Sequence, residues 1–194
     1  MCIPHTIGVP LGRRASSPGA NRPDLGGEIT PTQREPHDSV ISTPVADPDV
    51  LIRKVRASDL ETLAALDGTF GALKYPDFVL RQLFDVHQDC WLVAEHAAGL
   101  LGYALSAPCT DRSTGWLLGH VVGSDYRRRG YGRLLALSAL QILRSIGARR
   151  VYLTVEPAND PAIKLYENLG FIRISSDPNY LGPGKRRILM ELNF

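Results

Sequence analysis

Cysteine is scarce in this chain: the three cysteines among its 194 residues, Cys2, Cys90 and Cys109, are odd in number and widely spaced. Their spacing matches neither a disulfide framework nor a set of metal ligands, so no metal is expected, and Cys90 and Cys109 are predicted to be small buried hydrophobic residues. Long apolar runs are also lacking. No stretch approaches the roughly 18 to 20 uncharged residues of a membrane helix, and the N-terminus lacks the pattern of a signal peptide. We therefore expect a cytoplasmic protein with no membrane segment.

Neither sign of charge dominates the sequence. The formal net charge is +2, and residues 1–50 contain four arginines against six acidic residues, which leaves eighteen basic and fourteen acidic residues in the remainder. Such a mildly basic domain suits an anionic ligand but falls short of the basic stripe of a dedicated nucleic-acid binder. A role centred on nucleic acid is therefore not expected.

Residues 1–50 differ in composition from the rest of the chain. They are rich in Pro, Gly, Ser, Thr and Arg, and their hydrophobic residues follow no period. Such a segment cannot bury enough apolar surface to offset the entropy of ordering it, so we predict a disordered tail. A partner-docking arm and a start codon assigned too early are the alternatives. Residues 51–194 are predicted to form one domain.

This domain alternates between apolar runs of strand length and helical patterns. The runs are too apolar for a sheet with one face in water, so an α/β architecture with helices on both sides of a central sheet is predicted. Ser58 and Glu61 are typical of a capping box, and Asp160 with Pro161 predicts another helix start. The predicted strands are 51–55, 91–94, 101–107, 116–122, 151–155, 171–174 and 188–192, and the predicted helices are near 60–66, 77–87, 134–146 and 160–169.

A basic, glycine-containing turn at residues 127–133 lies between an apolar strand and an apolar helix. The first amides of a helix have no partner inside it and the helix dipole is positive there, so this turn is suited to bind a phosphate group. A Walker loop would continue with Lys and Ser or Thr after the glycine, and a dinucleotide fingerprint would need a third glycine. A solvated corner whose glycines only ease the turn is the alternative.

A second motif follows the first in the sequence. Residues 153–171 include Asn159 and, seven positions later, Tyr166, and together with residues 121–132 they resemble the GNAT superfamily of acyl-coenzyme A dependent N-acyltransferases over residues 51–194. The motifs are most similar to those of the bacterial enzymes that acetylate the N-terminus of ribosomal proteins. The resemblance implies a mixed, mostly antiparallel sheet of six to seven strands with about four helices, acetyl-coenzyme A as co-substrate, and a monomer or homodimer.

The resemblance also implies roles for individual residues. Tyr166 would be the general acid toward the leaving thiolate, Asn159 would bind the pantetheine arm, and a backbone N–H near Val121 or Val122 would stabilise the negative charge on the carbonyl oxygen. The turn that would bind the coenzyme diphosphate consists of Arg127, Arg128, Arg129, Gly130, Tyr131, Gly132 and Arg133.

The general base is less well defined by the sequence. The ribosomal-protein enzymes have a glutamate at the position of Thr154, and threonine cannot act as a base near neutral pH. Glu156 shares the face of Thr154 if the strand continues to it, although Pro157 indicates that the strand is ending, and it is the best candidate, with a solvated carboxylate at the strand end as the competing interpretation. His120, which has a suitable unperturbed pKa or else a structural role, and ordered water are the alternatives. Tyr180 matches the tyrosine that lines the peptide slot in the resembling group. Arg186 and Arg187 depart from that group's pattern and either favour an acidic or phosphorylated acceptor or belong to a solvated hairpin.

Three functions follow from these observations. The first is an acetyl-coenzyme A dependent N-acetyltransferase acting on a protein N-terminus, a lysine or a small-molecule amine. The second is an acyltransferase of the same fold that uses a longer acyl-coenzyme A or an aminoacyl-tRNA, for which binding would weaken steeply with salt. The third is a non-catalytic module that binds coenzyme A.

Overall fold

The computed structural model describes residues 49–67 and 76–194, so most of the predicted tail lies outside the described residues. The strands and helices within this range are β1 (Leu51–Lys54), α1 (Leu60–Asp67), α2 (Asp77–His87), β2 (Trp91–His96), β3 (Gly99–Pro108), β4 (Thr114–Val122), α3 (Tyr131–Ile146), β5 (Arg150–Val155), α4 (Asp160–Asn168), β6 (Ile172–Asp177) and β7 (Arg187–Asn193).

The strands form one sheet with the order β1-β2-β3-β4-β5-β7-β6. Every neighbouring pair is antiparallel except β4 and β5, which are parallel. One core cluster contains Leu135, Leu143, Ile163 and Met190, and joins α3 and α4 to one face of the sheet. A second cluster joins α1 and α2 to the other face. The predicted architecture, a mostly antiparallel sheet with helices on both sides, is confirmed.

The observed ends of the helices agree with the sequence-based predictions only in part. Gly147 ends α3 in the left-handed region at a φ of 114°, as predicted. The first helical segment begins earlier than the predicted capping box, as a 3-10 turn over Ala57–Asp59, and the carboxylate of Asp59 accepts the Arg56 N–H at 2.7 Å. The capping role assigned to Ser58 and Glu61 was therefore wrong at this turn, because an acid one turn ahead of the helix provides the cap.

The strand β4 contains a bulge at its middle. Ser106 on β3 pairs with Leu117 and Leu105 pairs with Gly119, so Leu118 has no partner across this ladder. The parallel pairing of β4 with β5 ends at Leu117, which pairs with Leu153. Because a bulge bends its strand and raises the local twist, the last residues of β4 diverge from β5 and the sheet opens between them.

Two cysteines lie within the described residues. Cys90 is buried as predicted, but Cys109 is only half-buried because it follows β3 at the sheet margin. Among residues 49–67 and 76–194, no three His, Cys, Asp or Glu side chains gather in a way that could hold a metal ion. The helices in these ranges are all too short or too polar to cross a membrane.

Candidate active site

A cavity of about 850 Å³ lies where β4 ends, α3 begins and α4 passes. It brings together most of the residues that the two sequence motifs singled out, although the motifs are separated in sequence by a whole helix and a strand. Its walls consist of His120, Val122, Ser124, Asp125, Arg127, Arg128, Arg129, Gly130, Gly132, Arg133, Asn159, Pro161, Ala162, Leu165 and Tyr166.

The turn before α3 is held in an unusual backbone conformation. Gly130 is the N-cap with a φ of 89°, and Arg128 has a φ of 60° although it carries a side chain. The left-handed region costs an L-residue roughly 1–2 kcal/mol, and such strain is typical of functional sites. The Leu134 N–H is bonded to the Gly130 carbonyl at 3.0 Å, so the amides of Gly132 and Arg133 precede this first helical hydrogen bond. This is the geometry of an anion-binding helix start.

The side chain of Arg133 presents a buried donor that suits an anion. Its Nη1 is buried and has no hydrogen-bond partner among the described residues. A buried charged donor without a partner is costly, so a phosphate group at this position would satisfy it. Tyr131, predicted as a contact, instead buries its ring in the core beneath α3 and does not line the cavity. The residues of this turn therefore fit the diphosphate of a coenzyme, with Tyr131 contributing only through its backbone.

Tyr166 lies on the inward face of α4 and is 7% exposed. Its hydroxyl is 3.1 Å from Nδ1 of His120, and Nε2 of His120 is 2.9 Å from the Gly132 carbonyl oxygen. Burial raises the pKa of the Tyr166 hydroxyl above its usual value of 10, and burial lowers the pKa of His120 from 6.5 to about 4 although the Gly132 carbonyl opposes this. Both groups are therefore neutral near pH 7.

The backbone N–H groups of Val121 and Val122, the two candidates on β4 for stabilising an oxyanion, point in opposite directions. The Gly123 N–H donates to the Leu101 carbonyl on β3 at 2.9 Å. Since alternate residues of a strand turn their backbone groups to the same side, Val121 also faces β3, whereas Val122 faces the opening toward β5. The Val121 side chain is buried in the second core cluster, on the opposite face from the cavity. Val122 is thus the residue whose amide is suited to stabilise an oxyanion, and Val121 is not.

Asn159 is the N-cap of α4, a role that the sequence had assigned to Asp160. Its Oδ1 accepts the Ala162 N–H at 3.2 Å, which places Asp160 and Pro161 in the first turn. The cap fixes the Asn159 side chain at the cavity wall and uses one lone pair of its oxygen. Its amide NH₂ group and the second lone pair remain for contacts to a ligand.

The predicted base and acceptor residues lie away from this cavity. Val155 belongs to the core cluster under α4, so Thr154 and Glu156 are on the opposite face of the sheet. The Glu156 side chain is 63% exposed and lies 3.8 Å from Nη1 of Arg187. Tyr180 is exposed in a loop that is closed by the Gly184 N–H bonding to Asn179 Oδ1. The structure does not bring these residues together with Tyr166.

One contributor was underestimated from the sequence. His120 was considered a structural residue or a base, and its pairing with Tyr166 was not foreseen. The signal lies in the bulge at Leu118, which puts His120 and Val122 on the same face as Leu117, where strict alternation would have put Val121. No local pattern of apolar residues in β4 indicates such a shift.

Comparison with known proteins decides the family. The model of the Acetyltransferase (GNAT) family matches residues 57–171. The chain belongs to this family. The N-alpha-acetyltransferase of Sulfurisphaera tokodaii is 27% identical over 150 residues, which are 72% of this chain and 90% of that protein. The mycothiol acetyltransferase of Thermobispora bispora is 39% identical over 97 residues, 46% of this chain, and the chain spans only 32% of its length.

The fold of this GNAT protein also matches solved structures. The ribosomal-protein-S18-alanine N-acetyltransferase from Escherichia coli superimposes with a TM-score of 0.65 at 23% identity, covering 74% of this chain and 93% of that one. The sequence-based assignment to the family is confirmed. The chain is an acetyltransferase whose co-substrate is acetyl-coenzyme A, and its reaction is N-acetylation of an amine.

Proposed function

We propose that this GNAT protein acetylates the α-amine of a peptide or protein N-terminus in a single direct transfer. The observation that carries the proposal is the cavity in which the strained turn before α3 and the Tyr166 hydroxyl face the same space. Acetyl-coenzyme A supplies the acetyl group as an activated thioester. The amine forms one N–C bond, the C–S bond breaks, the amine loses one proton and the sulfur gains one.

Different residues of the cavity would carry out the separate parts of this reaction. The amides of Gly132 and Arg133, with the Arg133 guanidinium, would bind the diphosphate and fix the length of the pantetheine arm. The Val122 N–H would donate to the carbonyl oxygen as negative charge develops on it. Tyr166 is protonated near pH 7, as a phenol is whenever its pKa is not lowered, so it has a proton to give to the departing sulfur. Asn159 would contact the arm through its NH₂ group.

Glu156 remains the proposed acceptor of the amine proton. It lies on the face of the sheet opposite Tyr166, so an amine that enters from that face would meet Glu156 before the thioester. Its Oε2 lies 3.8 Å from Nη1 of Arg187, and its side chain is 63% exposed, so an entering amine can reach it. Tyr180 and the basic residues before β7 are proposed to border the acceptor, with an acidic peptide as the preferred sequence.

A small-molecule amine is the second candidate acceptor. It is supported by the relatives named mycothiol acetyltransferase, of which one is 39% identical over 97 residues. An aminoacyl-tRNA or longer acyl donor is the remaining alternative, and the mild charge of the domain argues against a nucleic acid. We also propose a cytoplasmic site of action, where acetyl-coenzyme A is available, and a monomer or homodimer.

The proposal is tested by thiol release from acetyl-coenzyme A with pooled N-terminal peptides, polyamines, amino acids and sugar amines as acceptors. Peptides should give the strongest release. Tyr166→Phe should lower kcat at least tenfold with little change in coenzyme affinity, since a positioned acid typically contributes about 10² to 10⁴ in rate. Tyr152→Phe, which removes a hydroxyl bonded to Glu191 on the other face, is the matched control. Full turnover in Tyr166→Phe would contradict the role of the acid.

A further inference from the structure

The hydrogen bonds of His120 assign its tautomer. The Gly132 carbonyl oxygen can only accept, so the 2.9 Å contact requires a proton on Nε2. A neutral ring then carries a lone pair on Nδ1, and the 3.1 Å contact is a hydrogen bond donated by the Tyr166 hydroxyl. The opposite tautomer would set two acceptors against each other at Gly132. The Tyr166 oxygen is therefore fixed by an acceptor that is itself fixed to the first turn of α3. In the reaction this one hydroxyl proton would turn from Nδ1 to the sulfur, because a departing thiolate is a stronger base than the buried neutral ring.

We propose that His120 is a positioning residue for Tyr166, which holds the hydroxyl in place through Nδ1 and connects it through Nε2–H to the helix end that binds the coenzyme. This inference rests on the proposed role of Tyr166. The connection is short: β4, the first turn of α3 and α4 meet in two consecutive hydrogen bonds. The position of the acid is thus set relative to the first turn of α3 by these two hydrogen bonds.

The residues around Tyr166 explain why its hydroxyl depends on His120. The Tyr166 ring contacts Phe171 edge-on at 5.8 Å and His120 at 5.9 Å between ring centroids, so the ring is held by packing while its hydroxyl depends on His120. Without an acceptor, a buried hydroxyl loses its partner and turns away or recruits water. A misplacement of about 1 Å at a reacting group can cost on the order of 10²-fold in rate.

Kinetics of five proteins test the proposal: the wild type, His120→Phe, His120→Asn, Tyr166→Phe and the double variant His120→Phe/Tyr166→Phe. His120→Phe should lower kcat at least tenfold and change the KM for acetyl-coenzyme A less than about threefold. His120→Asn, which keeps an acceptor near the Nδ1 position, should recover part of the lost kcat. The double variant should be no slower than Tyr166→Phe, because His120 acts only through the tyrosine.

A matched control and a spectroscopic readout complete the test. His96→Phe makes the same substitution at the exposed turn of the β2–β3 hairpin and should leave kcat unchanged. Nitrogen-15 spectra of the wild-type histidine rings should show the Nε2–H tautomer for His120, with its Nδ1 resonance shifted in Tyr166→Phe. This readout requires no activity, so it tests the pair even if no acceptor is acetylated and the proposed function fails.

Three results would overturn the inference. The first is an active His120→Phe variant with more than half of the wild-type kcat. The second is an equal loss of kcat from His120→Phe with and without Tyr166, which would indicate a general structural effect. The third is a His120 ring protonated on Nδ1, which would reverse the hydrogen bonds on which the connection depends.

Discussion

Lowering the pH should destabilise the folded protein through His120 well before the carboxylates titrate. Burial lowers the pKa of this ring from 6.5 to about 4, so the unfolded chain takes up the proton at a higher pH than the folded one does. The stabilising contribution is therefore fully present above pH 6.5 and is lost as the pH falls toward 4. Protonation would also place a second donor opposite the Tyr166 hydroxyl and remove the acceptor at Nδ1.

The magnitude follows from the shift. One pKa unit corresponds to about 1.4 kcal/mol, so the shift from 6.5 to about 4 amounts to about 3 kcal/mol in the free energy of unfolding. About 2 kcal/mol of this should be lost between pH 7 and pH 5, since most of the unfolded chains, and few of the folded ones, are protonated there. A change of this size is a large part of the stability of a typical domain.

Urea unfolding at pH 7, 6 and 5 measures this loss, and Trp91, which is fully buried, provides the fluorescence signal. His120→Asn lacks the titrating ring and should lose about 2 kcal/mol less than the wild type over the same range. His87, whose pKa is also lowered by burial, contributes equally to both proteins and cancels. Parallel pH dependences in the wild type and the variant would refute the burial of a neutral His120.

Three further changes probe the cavity. Gly130 and Gly147 lie at the two ends of α3, and both have a positive φ. Replacing either one by Ala introduces a side chain there and should cost about 1–2 kcal/mol of stability. Only Gly130→Ala should also raise the KM for acetyl-coenzyme A, by tenfold or more. Arg133→Met should weaken coenzyme binding by about 10- to 100-fold in calorimetry without loss of stability in the free protein, since Nη1 of Arg133 has no hydrogen-bond partner within residues 49–67 and 76–194. Arg144→Met, at the far end of the helix, should bind normally. Glu156→Gln should lower kcat at pH 7, and an unchanged rate would favour deprotonation through water.

Most of the fold could be predicted because its signals are local. The strand 101–107 and the helix 134–146 follow from apolar periodicity, and the end of that helix follows from Gly147. The wrong predictions also concerned single residues, at the ends of helices. Asn159 displaced Asp160 as the cap of α4 because either residue can accept an amide proton, and the sequence alone does not fix which one precedes the first turn.

The site could be predicted only in part. The turn of residues 127–133 and the two motif residues Asn159 and Tyr166 were found from sequence and line one cavity. The exclusion of the Tyr131 ring and the pairing of His120 depend on which face each residue occupies, and periodicity in a short turn does not specify that. The residues proposed to bind the acceptor are the hardest to predict, because they lie in loops whose positions depend on contacts with residues distant in sequence.

The bulge at Leu118 explains why the sequence pattern of β4 does not predict which of its residues face the cavity. Without the extra residue, strict alternation from Leu117 would turn Val121 toward the cavity face, and His120 and Val122 would change sides. The second core cluster would then lose Val121, and Tyr166 would face no acceptor. Gly102 allows β3 to approach β4 closely at Val121, since a Cβ there would collide with the Val121 carbonyl, and Gly119 leaves room for the Tyr103 ring. One inserted position thus sets the opening of the sheet, the direction of the Val122 amide and the partner of the acid together.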